Sequence, residues 1–526
     1  MESKGQSPYN TRLFKTGEQS YTVKVASAES KTEPVQNFAG SKFCVEYGDH
    51  GPLMQRIVDN LQKAAEHAAS DTQKFMLLEY CKSFSTGSIE AHKEGSRHWI
   101  RDVGPAVESY IGFIESYRDP SGLRGEWEGF VSCVNKEVSA KFQVLVDSAP
   151  ELLQLMPWSS DFEKATFQRP DFTSLEVLAF GSSGVPAGIN IPNYDDIRQN
   201  EGFKNVSLGN VLQASYGGSA SDKPVTFVSD QDQELFKTLK GPAFEVQVGV
   251  HELLGHGSGR LYHKNSQETK AFVEKKIASP WAEGKILDGP FYDEGSTWDS
   301  AFGKIASPYE ECRAECCGIY LCLEKQVLEV FGHSDVVEGQ VHDIVYTNWL
   351  LMVRAGLTGL EFYTPETGAW RQAHMNARYV ILRVLLEAGQ GLVKLEVNEA
   401  NDDVTIQLDR SLIPTVGKTA IGEFLNKLQI FKSLGDVANG SKMFGDYSKV
   451  PEEMANLRRI VMARKEPRKL LVQPHMSRND ETKQCSIVEF EESPEGMIAS
   501  FVSRFPAVDN DLWALYEAEA DAMKNQ

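Results

Sequence analysis

The sequence predicts an α+β protein of two lobes, one mostly helical and one mixed around a β-rich core, separated by a wide cleft. Three observations predict it. Strand-like alternation sits near both ends, long helical periodicity fills the middle, and a short strand bounded by glycine and proline interrupts the region between them.

In chain order, Tyr21, Val23 and Val25 alternate with Thr22 and Lys24, the pattern of a half-buried strand. Residues 51–145 read mainly as helices, with apolar residues three and four apart through 53–68. Around 181-GSSGVPAGINIPNYDD-196 the pattern changes: Ile189-Asn190-Ile191 alternates, and Pro192 cannot donate to a ladder, so this piece is expected at a sheet edge. Residues 240–465 are mostly helical, with amphipathic runs at 309–331, 340–362 and 367–394 and a polar strand-like segment at 395–411. The tail returns to strand character at 469–473 and 485–492 and closes with helices. The expected division is 1–135 mixed, 136–173 helical, 174–219 mixed with the edge strand, 220–467 helical, and 468–526 mixed.

Composition excludes several classes. The 526 residues are 41% apolar, enough for large cores, and the formal net charge of −20 argues against nucleic acid as a partner. Eight cysteines are too few for a disulfide scaffold, and Cys312, Cys316, Cys317 and Cys322 read as small buried residues of a reducing compartment. The first residues are polar, and apolar runs such as 349-WLLMV-353 are too short to span a bilayer. A soluble cytoplasmic monomer that binds neither nucleic acid nor membrane is expected.

The stretch 251-HELLGH-256 poses a spacing problem. Paired histidines on a metal-binding helix stand four apart, about 40° around the axis, whereas five apart leaves them about 140° apart. Either the cluster is accidental or the helix is irregular: Gly255, Gly257 and Gly259 permit an irregular turn, and a one-residue π-insertion would bring His256 back beside His251. Downstream, Ser307, Pro308 and Glu310 read as N-cap, first helical position and capping-box acid. Glu311 and Glu315 lie four apart on one face, either as a solvated edge or as a metal carboxylate and an acid that orients a ligand histidine. The triplet 417-GKT-419 has Leu412 where a phosphate loop needs glycine, and 255-GHGSG-259 lacks the glycine a nucleophile elbow needs. His92 and seven other histidines have no ligand spacing and read as surface or internally satisfied.

Together, HELLGH and 310-EECRAE-315 resemble the dipeptidyl peptidase III family of zinc aminodipeptidases. The resemblance continues through 113-FIESYRDP-120, 184-GVPAGINIPNYDDIR-198, 366-ETGAWRQAHMNAR-378 and 467-PRKLLVQP-474 and covers nearly the whole chain. It implies one Zn²⁺ per chain, held in the helical lobe by His251, His256 and Glu311, with Glu310 and Glu315 behind the ligand histidines. It further implies Glu252 as general base, Tyr117 and His374 as transition-state donors, Glu115, Asn190 and Asn193 as holders of the substrate's free amino terminus, and Arg468 and Lys469 as contacts to its far end. Animal-type members carry a substantial segment before the point where this sequence begins, so the mixed lobe is expected to be incomplete.

These roles are chemically coherent. Two imidazoles and a carboxylate leave a fourth position for water, whose proton Glu252 can take, and a tetrahedral oxyanion needs donors. A cationic α-amine suits a carboxylate and two amides. Arg371 and Arg378 flank His374 either as solvated charges or as groups favouring its neutral form. The expected activity is release of N-terminal dipeptides from short peptides. A non-catalytic peptide- or protein-binding homologue and a zinc endopeptidase without an amine clamp are the alternatives.

Overall fold

The computed structural model describes residues 7–116, 119, 122–216, 223–337, 339–465, 471–479, 481–505 and 507–524, the side chains of 199, 522 and 523 aside. Its mixed part is organised by a five-stranded sheet in the order Val107–Glu115, Glu126–Asn135, Asp171–Gly181, Lys204–Leu208, Gly188–Ile191. Neighbours are antiparallel except Asp171–Gly181 with Lys204–Leu208, which run parallel. The expected edge strand is therefore an edge strand. The hairpin 107–135 corrects the expectation of helices through 145. Its first strand buries Glu108, Tyr110, Gly112 and Ile114, every second residue. Gly112 is required there, because a Cβ would stand 2.3 Å from His92 Nε2.

Three helices, Gly51–Ala65, Asp71–Thr86 and Ile89–Arg101, cover this sheet. Ser70 and Ser88 start the second and third by accepting from the backbone N–H of Gln73 and Ala91. Met76, Tyr80, Trp99, Tyr110, Phe130 and Leu175 form the shared core. Inside it Lys204 is buried, its ammonium 2.9 Å from Glu108 and 2.6 Å from the Asp102 carbonyl. His92 is the satisfied histidine expected: Nε2 donates to Ile111 O at 2.9 Å, and Nδ1 accepts from the Tyr194 hydroxyl at 2.9 Å. A separate four-stranded sheet, ordered Thr11–Gly17, Ser20–Ala26, Ser41–Asp49, Gln36–Phe38, contains the first strand read from the sequence.

The larger core is helical. Helices Gln233–Val250, Ala306–Leu321, Asp343–Thr358, Ala373–Glu387 and Lys418–Leu434 pack around Tyr309, Trp349, Tyr379 and Leu425. Ala306–Leu321 is buried on nearly every side, which explains its small cysteines; Cys312, Cys316, Cys317 and Cys322 are all buried and free. The run at 309–331 is broken by a short gap before Lys325–Val330, and the segment 395–411 belongs to the hairpin Val393–Val397/Val404–Leu408. In the tail, Cys485–Val488 pairs with His475–Arg478, whereas 471–473 forms no strand, and 469–470 lie outside the described residues.

The capping-box reading of Ser307 and Glu310 is corrected. The helix begins at Ala306 after a 3₁₀ turn, Gly303–Ile305, and its N-cap Ile305 makes no side-chain bond. Pro308 sits inside the first turn, where a missing N–H costs nothing. Between the two cores lies a cleft of ≈ 1510 Å³, walled by Asn10, Lys93 and Asn193 on one side and Arg260, Thr297 and Asp299 on the other.

Candidate metal centre and active site

The spacing problem resolves as a π-turn. His251–Gly255 is π-helical, continuing directly from Gln233–Val250, and the His256 N–H donates to the His251 carbonyl at 3.1 Å, five residues back. Gly255 lets this turn press on the next helix: a Cβ would lie 2.7 Å from Ala314 Cα. The extra residue thus brings the two imidazoles together, with their Nε2 atoms 3.1 Å apart.

Glu311 completes the group. Its Oε2 lies 3.3 Å from His251 Nε2 and 3.7 Å from His256 Nε2. Ligands at 2.0–2.2 Å from a tetrahedral ion stand roughly 3.3–3.6 Å apart, so these three atoms fit a shared zinc-sized cation. The Glu311 Oε2 is buried without a well-aligned hydrogen bond, an acceptor that such a cation would satisfy. His374 Nε2 stands 3.1 Å from the same oxygen, and the donor atoms of His251, Glu311 and His374 lie within 4.8 Å of one another. His374 therefore faces the same point from the helix Ala373–Glu387.

Each of the two histidines has an acid behind it. His251 Nδ1 is 3.5 Å from Glu315, and His256 Nδ1 is 3.3 Å from Glu310. Both acids are held as anions. Burial opposes the charge, but Arg378, with Nε 2.6 Å from Glu315, and then His251 hold the Glu315 carboxyl far below its usual range. Arg313 and Lys432, at 2.6 and 2.5 Å, hold Glu310 down against the same burial. Arg378 thus serves Glu315, while Arg371 turns away and donates to the Glu361 carbonyl at 2.6 Å. Burial drives His256 down to about 4 despite Glu311 and Glu310, which keeps the imidazole neutral, the form that binds a metal.

Glu252 follows His251 on the π-turn and lines a ≈ 130 Å³ pocket with His374 and the edge strand. Burial raises its carboxyl to about 7, with the His251 charge opposing. It lies against Gly188, where a Cβ would stand 2.6 Å from Oε1. Two residues along the strand, Asn190 donates through Nδ2 to the Glu252 carbonyl at 3.2 Å and also to Asn205 Oδ1. Its own Oδ1 is buried without a partner.

The far end of the pocket is acidic. Asn193 Nδ2 donates to Glu115 Oε2 at 2.9 Å, and Arg198 donates to Asn193 Oδ1 at 3.1 Å. Burial, then Glu128 and Glu311, push the Glu115 carboxyl up to about 8, with Asn193 opposing. The structure therefore brings together His251, Glu252, His256, Glu310, Glu311, Glu315 and His374, and, across the same pocket, Glu115, Asn190 and Asn193. Tyr117, Arg468 and Lys469 lie outside the described residues. Sequence reasoning missed Gly188, Arg198, Asn205, Arg313 and Lys432. Gly188, Asn205 and Lys432 act through residues well separated in the chain, whereas Arg198 lies five after Asn193 and Arg313 three after Glu310, the one pair with helical spacing.

The model of peptidase family M49 matches residues 1–505. Dipeptidyl peptidase 3 of Nematostella vectensis is 52% identical over 537 residues, spanning 98% of this chain and 72% of that protein. The Homo sapiens protein of the same name is 51% identical over 527 residues, spanning 96% and 70%. The structure of dipeptidyl-peptidase III from Corallococcus sp. strain EGB matches with a TM-score of 0.59 at 18% identity, covering 83% of this chain and 71% of that one, a likeness of fold. A family match over nearly the whole length, with relatives sharing half its residues, accords with the histidine–glutamate centre: the chain belongs to peptidase family M49.

Proposed function

We propose that this peptidase uses zinc to release dipeptides from the free amino terminus of short peptides, with Glu252 as general base. The observation that carries the reading is the convergence of His251, His256 and Glu311 on one point, with the Glu252 carboxylate beside it in the same pocket. His251, His256 and Glu311 would hold the ion; bound there, it supplies Lewis acidity, acidifying water and polarising the scissile carbonyl. Glu252 takes the proton of the attacking water and passes it to the departing amine; its raised carboxyl suits exchange near neutrality. His374 faces the centre beside Glu311 and donates to the developing oxyanion, a role Tyr117 is proposed to share. Arg468 and Lys469 are proposed to meet the carboxyl-terminal side of the substrate.

The substrate's ammonium is assigned to Glu115, Asn193 and the unpaired Oδ1 of Asn190. Burial, with Glu128 and Glu311, raises the Glu115 carboxyl, and a substrate ammonium beside it would favour the carboxylate. The edge strand Gly188–Ile191 offers main-chain groups to an extended peptide with little demand on side-chain identity. Anchoring the amine at a fixed distance from the metal makes the enzyme count two residues. We propose that it is a cytoplasmic monomer; its eight free cysteines suit a reducing compartment, and among the described residues no helix is long and apolar enough to cross a membrane.

The test is arylamine release from a free-amine dipeptidyl arylamide with stoichiometric zinc. Glu252→Ala is expected to lower kcat by roughly 10²–10⁴-fold, the usual contribution of a general base. Efficient cleavage of N-acetylated peptides would instead make the enzyme an endopeptidase.

A further inference from the structure

Behind the metal centre lies a buried amide chain that the reaction itself does not use. Gln247 is 1% exposed and sits one helical turn before His251 on the helix Gln233–Val250. Its Nε2 donates twice, to Glu315 Oε2 at 2.7 Å and to the Glu315 backbone carbonyl at 3.0 Å. Its Oε1 accepts from Asn348 Nδ2 at 3.0 Å, and Asn348, also 1% exposed, belongs to the helix Asp343–Thr358. Both amide hydrogens and the carbonyl are therefore committed. Flipping the amide would set its oxygen against a carboxylate and a backbone carbonyl and its NH₂ against the Asn348 NH₂.

The surroundings are cut to fit this amide. Gly318, one turn after Glu315, faces it directly: a Cβ would lie 2.3 Å from Nε2 and 2.4 Å from Oε1. One side chain thus joins the helix that leads into His251, the helix that carries Glu311 and Glu315, and a third helix behind both. Glu315 Oε2, the oxygen that Gln247 holds, is also the one facing His251 Nδ1 at 3.5 Å.

We propose that Gln247, backed by Asn348, is a positioning residue for the metal centre. It fixes the Glu315 carboxylate so that His251 keeps its ring orientation and presents Nε2 to the ion. Gln247 touches neither metal nor substrate. The inference rests on the proposed zinc site and places a determinant of metal affinity behind the acid that faces His251.

The test measures zinc affinity of the metal-free full chain by chelator competition, for the parent protein, Gln247→Met and Asn348→Ala, with melting temperature of the metal-free proteins in parallel. Methionine keeps the length and removes every hydrogen bond. Outer partners of metal ligands typically set affinity by about 10–100-fold, and one bond further back the expected loss for Gln247→Met is about 10-fold. Asn348→Ala, which only frees the amide to turn, is expected to lose about threefold by the same reasoning. If Gln247→Met does not fold, Asn348→Ala decides. Zinc affinity within 1.5-fold of the parent in each folded variant, whatever happens to the melting temperature, would assign the amide chain to structure alone and overturn the proposal. A parent protein that fails to bind one zinc per chain would sink the zinc reading itself, a distinguishable result.

Discussion

Gly188→Ala isolates the contact between the edge strand and the general base. Gly188 lies in a regular strand, so alanine suits its backbone; the cost is steric. The new Cβ would stand 2.6 Å from Glu252 Oε1 and 3.1 Å from its Cδ and Cγ, whereas ordinary contact begins at 3.4 Å. The carboxylate must therefore retreat by about 0.8 Å, the difference between 3.4 and 2.6 Å. A misplacement on the order of 1 Å costs up to ~10²-fold in rate, so kcat/KM for a free-amine dipeptidyl arylamide is expected to fall roughly 30- to 100-fold. Zinc content and melting temperature should stay near the parent values. Gly181→Ala is the control, since its Cβ meets only a carbonyl at 4.0 Å. Activity within threefold of the parent, in folded zinc-loaded protein, would refute the idea that the strand sets the base. An equal loss in a Glu252→Ala background would refute it too, because the effect would then bypass Glu252.

The amine clamp predicts that Glu115→Gln raises KM by about 10- to 100-fold, the equivalent of one charged hydrogen bond, with kcat changed far less; an unchanged KM for a free-amine substrate would sink that role. His92 predicts acid sensitivity. Burial lowers it from 6.5 to about 4, with the Ile111 bond opposing, so the unfolded chain binds the proton more readily. Its contribution is complete above pH 6.5 and is lost as pH falls to about 4, some 3 kcal/mol in all; unfolding free energies whose slope in that window is the same for His92→Gln would contradict it. Lys204→Met strands the Glu108 carboxylate and should cost about 3–5 kcal/mol in urea unfolding, while adding Glu108→Leu should recover most of it; a single variant within 1 kcal/mol of the parent would rule this out.

Local patterns carried local truths. Five-residue spacing beside three glycines leaves two readings, a chance cluster or an irregular helix, and the π-turn at His251–Gly255 decides for the second. Pro192 was enough to place Gly188–Ile191 at an edge, because a proline cannot sit inside a ladder. The same locality misled at Ser307. Ser-x-x-Glu fits a capping box, but burial gave Glu310 stronger partners in Arg313 and Lys432, and the preceding 3₁₀ turn carried the helix further back. The hairpin 107–135 lies where helices are expected, although its buried residues alternate, and the clearances at Gly112 and Gly129 that permit it depend on His92 and Ile111. Partners such as Gln247 for Glu315 or Lys432 for Glu310 are 68 and 122 residues apart in the chain, and no periodicity links them.

The extra residue in the metal helix also has a use beyond bringing two imidazoles together. A wider turn shifts the carbonyls away from a regular ladder, and the Glu252 carbonyl accepts instead from Asn190, a side chain on the strand. The backbone of the base is thereby tied to the residue assigned to the substrate's ammonium. The side chain of the base is braced by Gly188 two residues earlier on that strand. On the proposed assignment, metal, base and amine site are referred to one join between a π-turn and a sheet edge, and the strand repeat of about 3.3 Å per residue would be the ruler that sets which peptide bond meets the base. A regular four-residue spacing would still pair two histidines, but it would leave that carbonyl inside its own helix and the ruler without its anchor.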